Sequence, residues 1–185
     1  GFYTQEEIKT IVNYAADRKI RVVQEIDLPG HSEAALNAYP EFSCFNEAPK
    51  SVMSFTSTIF CGGKPETYTF IKSILDEVCE LFPSEYIHLG GDEAPKINWD
   101  RCNKCQQKIK DEELKDSHDL QLFFSAELAK YLKSKNKKAI FWGDVVYKKG
   151  YPLSDNSVIQ WWNYRRHKTK GLHNAISQGL EIICN

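Results

Sequence analysis

Apolar residues recur at helical spacing from the start of the chain, where Ile8, Ile11, Val12, Ala15 and Ala16 share one face. Thr4 precedes them and Glu7 follows three residues later, a capping box that satisfies two free backbone N–H groups. The spacing predicts a helix over 5–18. The β-branched run Ile20-Arg-Val-Val-Gln-Glu-Ile-Asp27 then predicts a buried strand, broken by Leu28-Pro-Gly-His-Ser32 because Pro and Gly do not continue a ladder. No period holds over 33–65, where Pro40, Pro49 and Gly62-Gly63 interrupt and at most one helical turn fits, near Ala34–Ala38. A loop of that length inside a domain is more often functional than connecting.

Helical period returns over 66–82, with Phe70, Ile71, Ile74, Leu75, Val78 and Leu81 as one stripe, and Pro83 stops it. Tyr86–Leu89 predicts a strand that runs into Gly90-Gly91-Asp92-Glu93. A polar stretch through Trp99 leads to a short helix near 103–112. A longer one near 118–134 carries Leu120, Phe124, Leu128, Tyr131 and Leu132, and its basic exit, Lys133 to Lys138, suits the helix dipole. Ala139–Trp142 and Val158–Trp162 predict strands, 171–178 a short helix ended by Gly179, and Leu180–Cys184 one more strand. Strands separated by helices or long crossovers are the mark of a parallel sheet in an α/β protein. The first four strands end in polar or aromatic residues: Asp27 to His31, Asp92-Glu93, Trp142 to Asp144, and Trp161 to Asn163. Such endings favour a (β/α)₈ TIM barrel, which gathers strand ends around one axis, over an open sheet. A whole barrel takes roughly 250 residues and eight strands. About five strands fit here, so 1–185 is expected to be an internal part of a barrel.

Composition narrows the function classes. Of 185 residues 42% are hydrophobic and 26% charged, near the average for globular domains and unlike disordered or membrane chains. The 24 basic and 25 acidic side chains leave a net charge of -1, without the basic surplus that nucleic-acid binding calls for. No apolar run reaches the length of a membrane span. Gly1-Phe-Tyr-Thr-Gln-Glu does not read as a signal peptide. GxSxG, P-loop and GxGxxG motifs are absent from the sequence.

Asp92-Glu93 is the first candidate for chemistry. Two adjacent acids can simply be solvated, but the glycines before them let backbone or ligand approach closely and end the strand's alternation. One carboxyl can then face a reacting bond while its neighbour holds another part of the substrate. In Asp27-Leu-Pro-Gly-His31 an acid and an imidazole flank a tight turn. The pair is either structural or a unit in which Asp27 orients His31 and His31 tunes a carboxyl next door. Trp142, Trp161 and Trp162 are either core or a stacking surface for sugar rings, with one of the adjacent pair packing away from it.

Six cysteines are spread along the chain. Cys79 and Cys184 read as small buried thiols, and Cys44 and Cys61 share a loop in which a disulfide could form. Cys102-Asn-Lys-Cys105 is half of a zinc pattern, but without a second CxxC or HxxxH it reads better as a loop staple or a turn at a helix start. No metal or cofactor is expected.

At these residues the sequence resembles the β-N-acetylhexosaminidases of glycoside hydrolase family twenty. Glu25-Ile-Asp-Leu-Pro-Gly-His-Ser32 with Ala38-Tyr-Pro-Glu-Phe42 is similar to the family's third-strand segment. Phe82-Pro-Ser-Glu-Tyr-Ile-His-Leu-Gly-Gly-Asp-Glu93 is similar to the fourth, and Phe141-Trp-Gly-Asp144 and Ile159-Gln-Trp-Trp162 to the fifth and sixth. The resemblance places the chain at about strands three to seven of the catalytic barrel, truncated at both ends. It implies retaining hydrolysis of terminal non-reducing N-acetylglucosamine or N-acetylgalactosamine, with the substrate's acetamido group as nucleophile, one of the exceptions to the two-carboxylate scheme.

By motif match Glu93 would be the general acid and base, its pKa raised by Asp92 and apolar walls. Asp92 would orient the acetamido group, and Asp27 with His31 would support Glu93. Trp142 and Trp162 would line the sugar pocket, Trp162 rather than Trp161 because it stands two residues beyond Gln160. Asp144 stands where the family usually has the longer Glu. The resemblance also implies an arginine, a further acid and a tyrosine–aspartate pair outside 1–185, so this stretch alone is expected to be inactive. The implied partner is a glycan bearing N-acetylhexosamine, and a secreted, periplasmic or lysosomal parent would fit. Competing readings are a carbohydrate-binding or inactive scaffold of the same fold, and an open-sheet hydrolase or transferase using the acids with a metal.

Overall fold

The computed structural model describes residues 2–48, 59–162 and 169–184. Seven α-helices are present among them: α1 Gln5–Asp17, α2 Glu33–Ala38, α3 Pro65–Leu81, α4 Ile97–Arg101, α5 Asn103–Asp111, α6 Ser117–Ser134 and α7 Thr169–Ser177. The strands are β1 Tyr86–His88, β2 Lys138–Trp142, β3 Ser157–Trp161 and β4 Glu181–Cys184. They form one parallel sheet in the order β1-β2-β3-β4, with His88 opposite Ile140, Trp142 opposite Gln160 and Trp161 opposite Cys184. Strand order equals chain order, α-helices fill the β1–β2 and β3–β4 crossovers, and the β2–β3 connection carries only a 3₁₀ turn at Gly143–Val146, which is the winding of a (β/α)₈ barrel with one shortened crossover. The structure is a partial barrel of this type.

Local chemistry explains the elements. Thr4 accepts from the Glu7 N–H, and the Glu7 carboxylate accepts from the Thr4 N–H at 2.7 Å, which completes the capping box. Proline at the first helical position starts α3, where its missing N–H costs nothing. Asp116 caps α6 by accepting from the N–H groups of His118 and Asp119. Strands β1, β2 and β3 are largely buried, as parallel strands are, and their apolar side chains pack against the helical layer, while β4 is more open. Ile71, Leu75 and Val78 of α3 and Leu122, Phe124, Leu128 and Leu132 of α6 close over Ile87, Phe141 and Ile159. Each such side chain contributes about 1.5–3 kcal/mol by leaving water. No helix among the described residues is long and apolar enough to cross a membrane.

Four expectations change. Residues 20–27 do not form a continuous strand. They join the sheet through one bridge, Glu25 to His88, with Ile26 N–H donating to His88 O at 2.9 Å and His88 N–H to Gln24 O at 3.1 Å. Ile20 and Val23 stay exposed because only this β1-facing side of the segment is paired. The polar stretch before residue 103 contains α4, which buries Trp99 completely. Cys184 is exposed, since β4 pairs only with β3. None of the described cysteines forms a disulfide. The expected strand end at Asn163 lies outside the described residues, as does Pro49.

Candidate active site

The C-terminal ends of β1, β2 and β3 and of the paired segment 24–28 point the same way, and the candidate residues collect there. At the turn after residue 27, Leu28-Pro29 is a cis peptide and His31 is left-handed with φ 50. At the end of β1, Gly90 and Gly91 take φ 63 and 102, conformations that side chains resist. A Cβ on Gly90 would stand 1.8 Å from Asp27 Oδ1 and 2.8 Å from the Asp27 Cα. The glycine is therefore a packing requirement: the two strand ends touch backbone to backbone. Gly91 N–H donates to Asp27 Oδ1 at 2.9 Å, and from below the Gln121 amide on α6 donates to Gly91 O at 2.8 Å.

His31 sits among three acids. Its Nε2 is 3.9 Å from Asp27 Oδ2, 3.9 Å from Asp92 Oδ1 and 3.8 Å from Glu93 Oε2. These are ion-pair separations for a protonated ring and too long for direct hydrogen bonds. Asp92 and Glu93, adjacent in sequence, differ in setting. The Asp92 side chain is 19% exposed and the Glu93 side chain 62%. Glu93 is itself left-handed, with φ 48. The apolar walls expected around Glu93 are thus not formed by the described residues.

Burial pushes the Asp27 carboxyl up to about 6 against the pull of the Gly91 N–H, and Asp92 adds to the rise while His31 opposes it. Asp92 is also raised by burial, opposed by His31 and reinforced by Asp144 and Glu93. Its Oδ1 is buried without a hydrogen bond.

Two indoles complete the rim. Trp162 Nε1 donates to Asp144 Oδ2 at 2.7 Å, so the residue after β3 is joined to the second residue past β2. Trp142 Nε1 donates to Glu25 Oε1 at 2.7 Å, and its ring lies 4.4 Å from that of His88. Trp161 takes the opposite side of the sheet, buried where a Cβ on Gly143 would lie 2.6 Å from its ring and one on Gly171 3.2 Å.

Sequence reasoning gave no role to several neighbours. Buried His88 accepts from Gly90 N–H at its Nδ1 at 2.9 Å, and burial lowers its pKa. A cleft of about 240 Å³ beside Glu93 is lined by Lys96, His118, Gln121, Tyr147 and Lys148, together with Asp144, which the sequence did single out. Burial brings the Lys96 ammonium down to about 8. These residues come from a helix and from loops without motif spacing, so only the fold assembles them.

Acids and indoles at the C-terminal ends of parallel strands define the catalytic side of a (β/α)₈ barrel. The chain belongs to glycosyl hydrolase family 20, whose catalytic-domain model matches residues 1–185. It is 41% identical over 163 residues to a beta-hexosaminidase of Porphyromonas gingivalis, covering 87% of this chain and 21% of that protein. A beta-hexosaminidase of Vibrio furnissii is 37% identical over 187 residues, covering 99% and 30%. The crystal structure of a beta-N-acetylhexosaminidase from Bacteroides fragilis superposes with a TM-score of 0.93 at 61% identity, over 100% of this chain and 36% of that one. The chain therefore spans a fifth to a third of the length of these curated relatives.

Proposed function

We propose that this chain carries the proton-transfer centre of an exo-acting β-N-acetylhexosaminidase that removes terminal N-acetylglucosamine or N-acetylgalactosamine with retention of configuration. The observation that carries the reading is the grouping of Asp92, Glu93 and Asp27 around His31 Nε2 at 3.8–3.9 Å, at the end of a parallel strand.

Glu93, the more exposed acid, gives its proton to the leaving glycosidic oxygen. The substrate's acetamido oxygen attacks the anomeric carbon as that bond breaks, and an oxazolinium ring forms. Asp92, held lower in the site, accepts from the acetamido N–H and offsets the charge that develops on the ring. Glu93 then takes a proton from the water that opens the ring at the anomeric carbon. Two inversions restore the starting configuration, and each carboxyl serves a different atom of one sugar.

His31, when protonated, offsets the crowding of three acids, and Asp27 fixes the turn that carries it through the Gly91 bond. Trp142 and Trp162 wall the sugar, with Asp144 orienting the Trp162 indole. Residues 1–185 act as the middle of a larger catalytic barrel, and further substrate contacts come from the rest of that protein.

The test is release of 4-nitrophenol from its N-acetyl-β-glucosaminide by the full-length protein and by Glu93→Gln. Loss of turnover in the variant is expected. Unchanged turnover would remove Glu93 from its role, and tight binding of a thiazoline mimic with no hydrolysis by the wild type would point to a binding scaffold.

A further inference from the structure

The fold joins four cysteines that the sequence keeps apart. Cys44 and Cys61 come from the long loop between α2 and α3. Cys102 caps α5 and Cys105 lies in its first turn. Their sulfurs lie within 4.8 Å of one another. Cys61 Sγ is 3.5 Å from Cys105 Sγ and 3.8 Å from Cys102 Sγ, and Cys44 Sγ is 3.9 Å from Cys105 Sγ. Two thiolates bound at about 2.3 Å to one tetrahedral ion lie about 3.8 Å apart. A disulfide would need about 2.05 Å. The spacings are those of a tetrahedron's edges.

The surroundings are built to the same end. Cys61, Cys102 and Cys105 are buried with Ile59, Trp99 and Leu120 in a small apolar cluster separate from the main core. A Cβ on Gly63 would fall 2.3 Å from the Lys104 carbonyl carbon and 2.4 Å from Cys105 N, so only glycine lets this loop lie on the 102–105 turn. Buried Lys64 donates to Glu41 O, Ser43 O and Asn46 Oδ1, fastening the Cys44 segment to the chain three residues past Cys61.

We propose that Cys44, Cys61, Cys102 and Cys105 form a closed structural site for one tetrahedral divalent cation that prefers thiolates, with zinc the best match. Four sulfur ligands leave no open position, so the ion holds structure and does not meet substrate. Binding converts four thiols to thiolates and releases four protons to solvent. The second half of the zinc pattern, missing as a CxxC, is supplied by two loop cysteines 17 residues apart in sequence.

Its place in the fold gives the site a task. Phe60 N–H donates to Pro29 O at 2.9 Å, in the turn that carries His31. Trp99 Nε1 donates to Phe60 O at 2.8 Å. Gly30 packs against Ala94, the residue after Glu93, with Ala94 Cα 3.3 Å from where a Cβ would stand. The ion would fasten, from behind, the two loops that present His31 and Glu93.

The full-length protein, purified under reducing conditions without chelator, should retain one zinc per chain by mass spectrometric metal analysis. A thiol-specific mercurial should release it to a chromogenic chelator. Cobalt(II) substitution should give sulfur-to-metal charge-transfer and tetrahedral ligand-field bands. Cys102→Ser/Cys105→Ser should lose the metal and melt at lower temperature. Should that variant fail to fold, the wild-type metal content and cobalt spectrum decide alone. Four free thiols with no stoichiometric metal, or disulfides among these four by peptide mapping, would overturn the proposal. None of these readouts depends on glycosidase activity, so they stand apart from the proposed function.

Discussion

Gly91 N–H and Asp27 Oδ1, 64 residues apart in sequence, meet at 2.9 Å. That bond ties the turn bearing His31 to the loop bearing Asp92 and Glu93. The Gly90 contact beside it leaves no space for a side chain.

Gly90→Ala forces a Cβ into Asp27 and a side chain onto a backbone at φ 63. The strain alone costs about 1–3 kcal/mol. A lower denaturant midpoint together with a drop in kcat is expected in the full-length protein. A variant of unchanged stability would mean the two strand ends can separate freely.

Glu93→Gln keeps shape and removes the transferable proton. Because the side chain is largely exposed, stability should stay within about 0.5 kcal/mol of wild type. Turnover should fall by about 10²–10⁴-fold. Calorimetry beside the kinetic assay separates loss of chemistry from loss of fold.

Asp27 brings a pH signature. Its folded pKa, about 6, lies above the ordinary 3.8, so in that window the folded chain holds a proton that the unfolded chain has released. Stability from this group therefore falls as pH rises through the window, and the penalty is complete above about 6. Asp27→Asn removes the penalty. Relative to wild type it should gain stability between about pH 4 and pH 7 while losing activity. Urea unfolding curves across that range check the sign, and a difference independent of pH would refute it.

Trp161 and Trp162, neighbours in sequence, should fail in different ways. Trp162→Phe removes the indole bond to Asp144 and should raise KM, by about tenfold for a hydrogen bond to a charged group, with little loss of stability. Trp161→Ala empties the space beside Gly143 and Gly171 and should cost about 3–5 kcal/mol of stability. Equal effects of both on KM would dissolve the distinction.

Where local rules decide, the sequence was readable. Thr4 and Glu7 announce α1, Pro83 stops α3, and the glycines after β1 mark the place where Asp92 and Glu93 leave the sheet. The β-branched run 20–27 misleads because propensity records what a residue tolerates, while a ladder needs neighbours, and here only β1 pairs with it. Helix α4 escaped notice because one buried Trp99 in polar company shows no period. The four-cysteine cluster was legible only in halves. Cys102 and Cys105 display their spacing openly, whereas Cys44 and Cys61 are brought to them by loop packing that no local pattern encodes.

The Gln121 amide reaches from α6 to the carbonyl of Gly91, one residue from Asp92. A helix of the outer layer thereby holds the loop that bears Asp92 and Glu93. Sliding α6 along its axis by repacking Leu128 or Leu132 would retune turnover from the far side of the sheet. Directed evolution for activity should accordingly collect beneficial changes beneath α6 as well as around the pocket mouth.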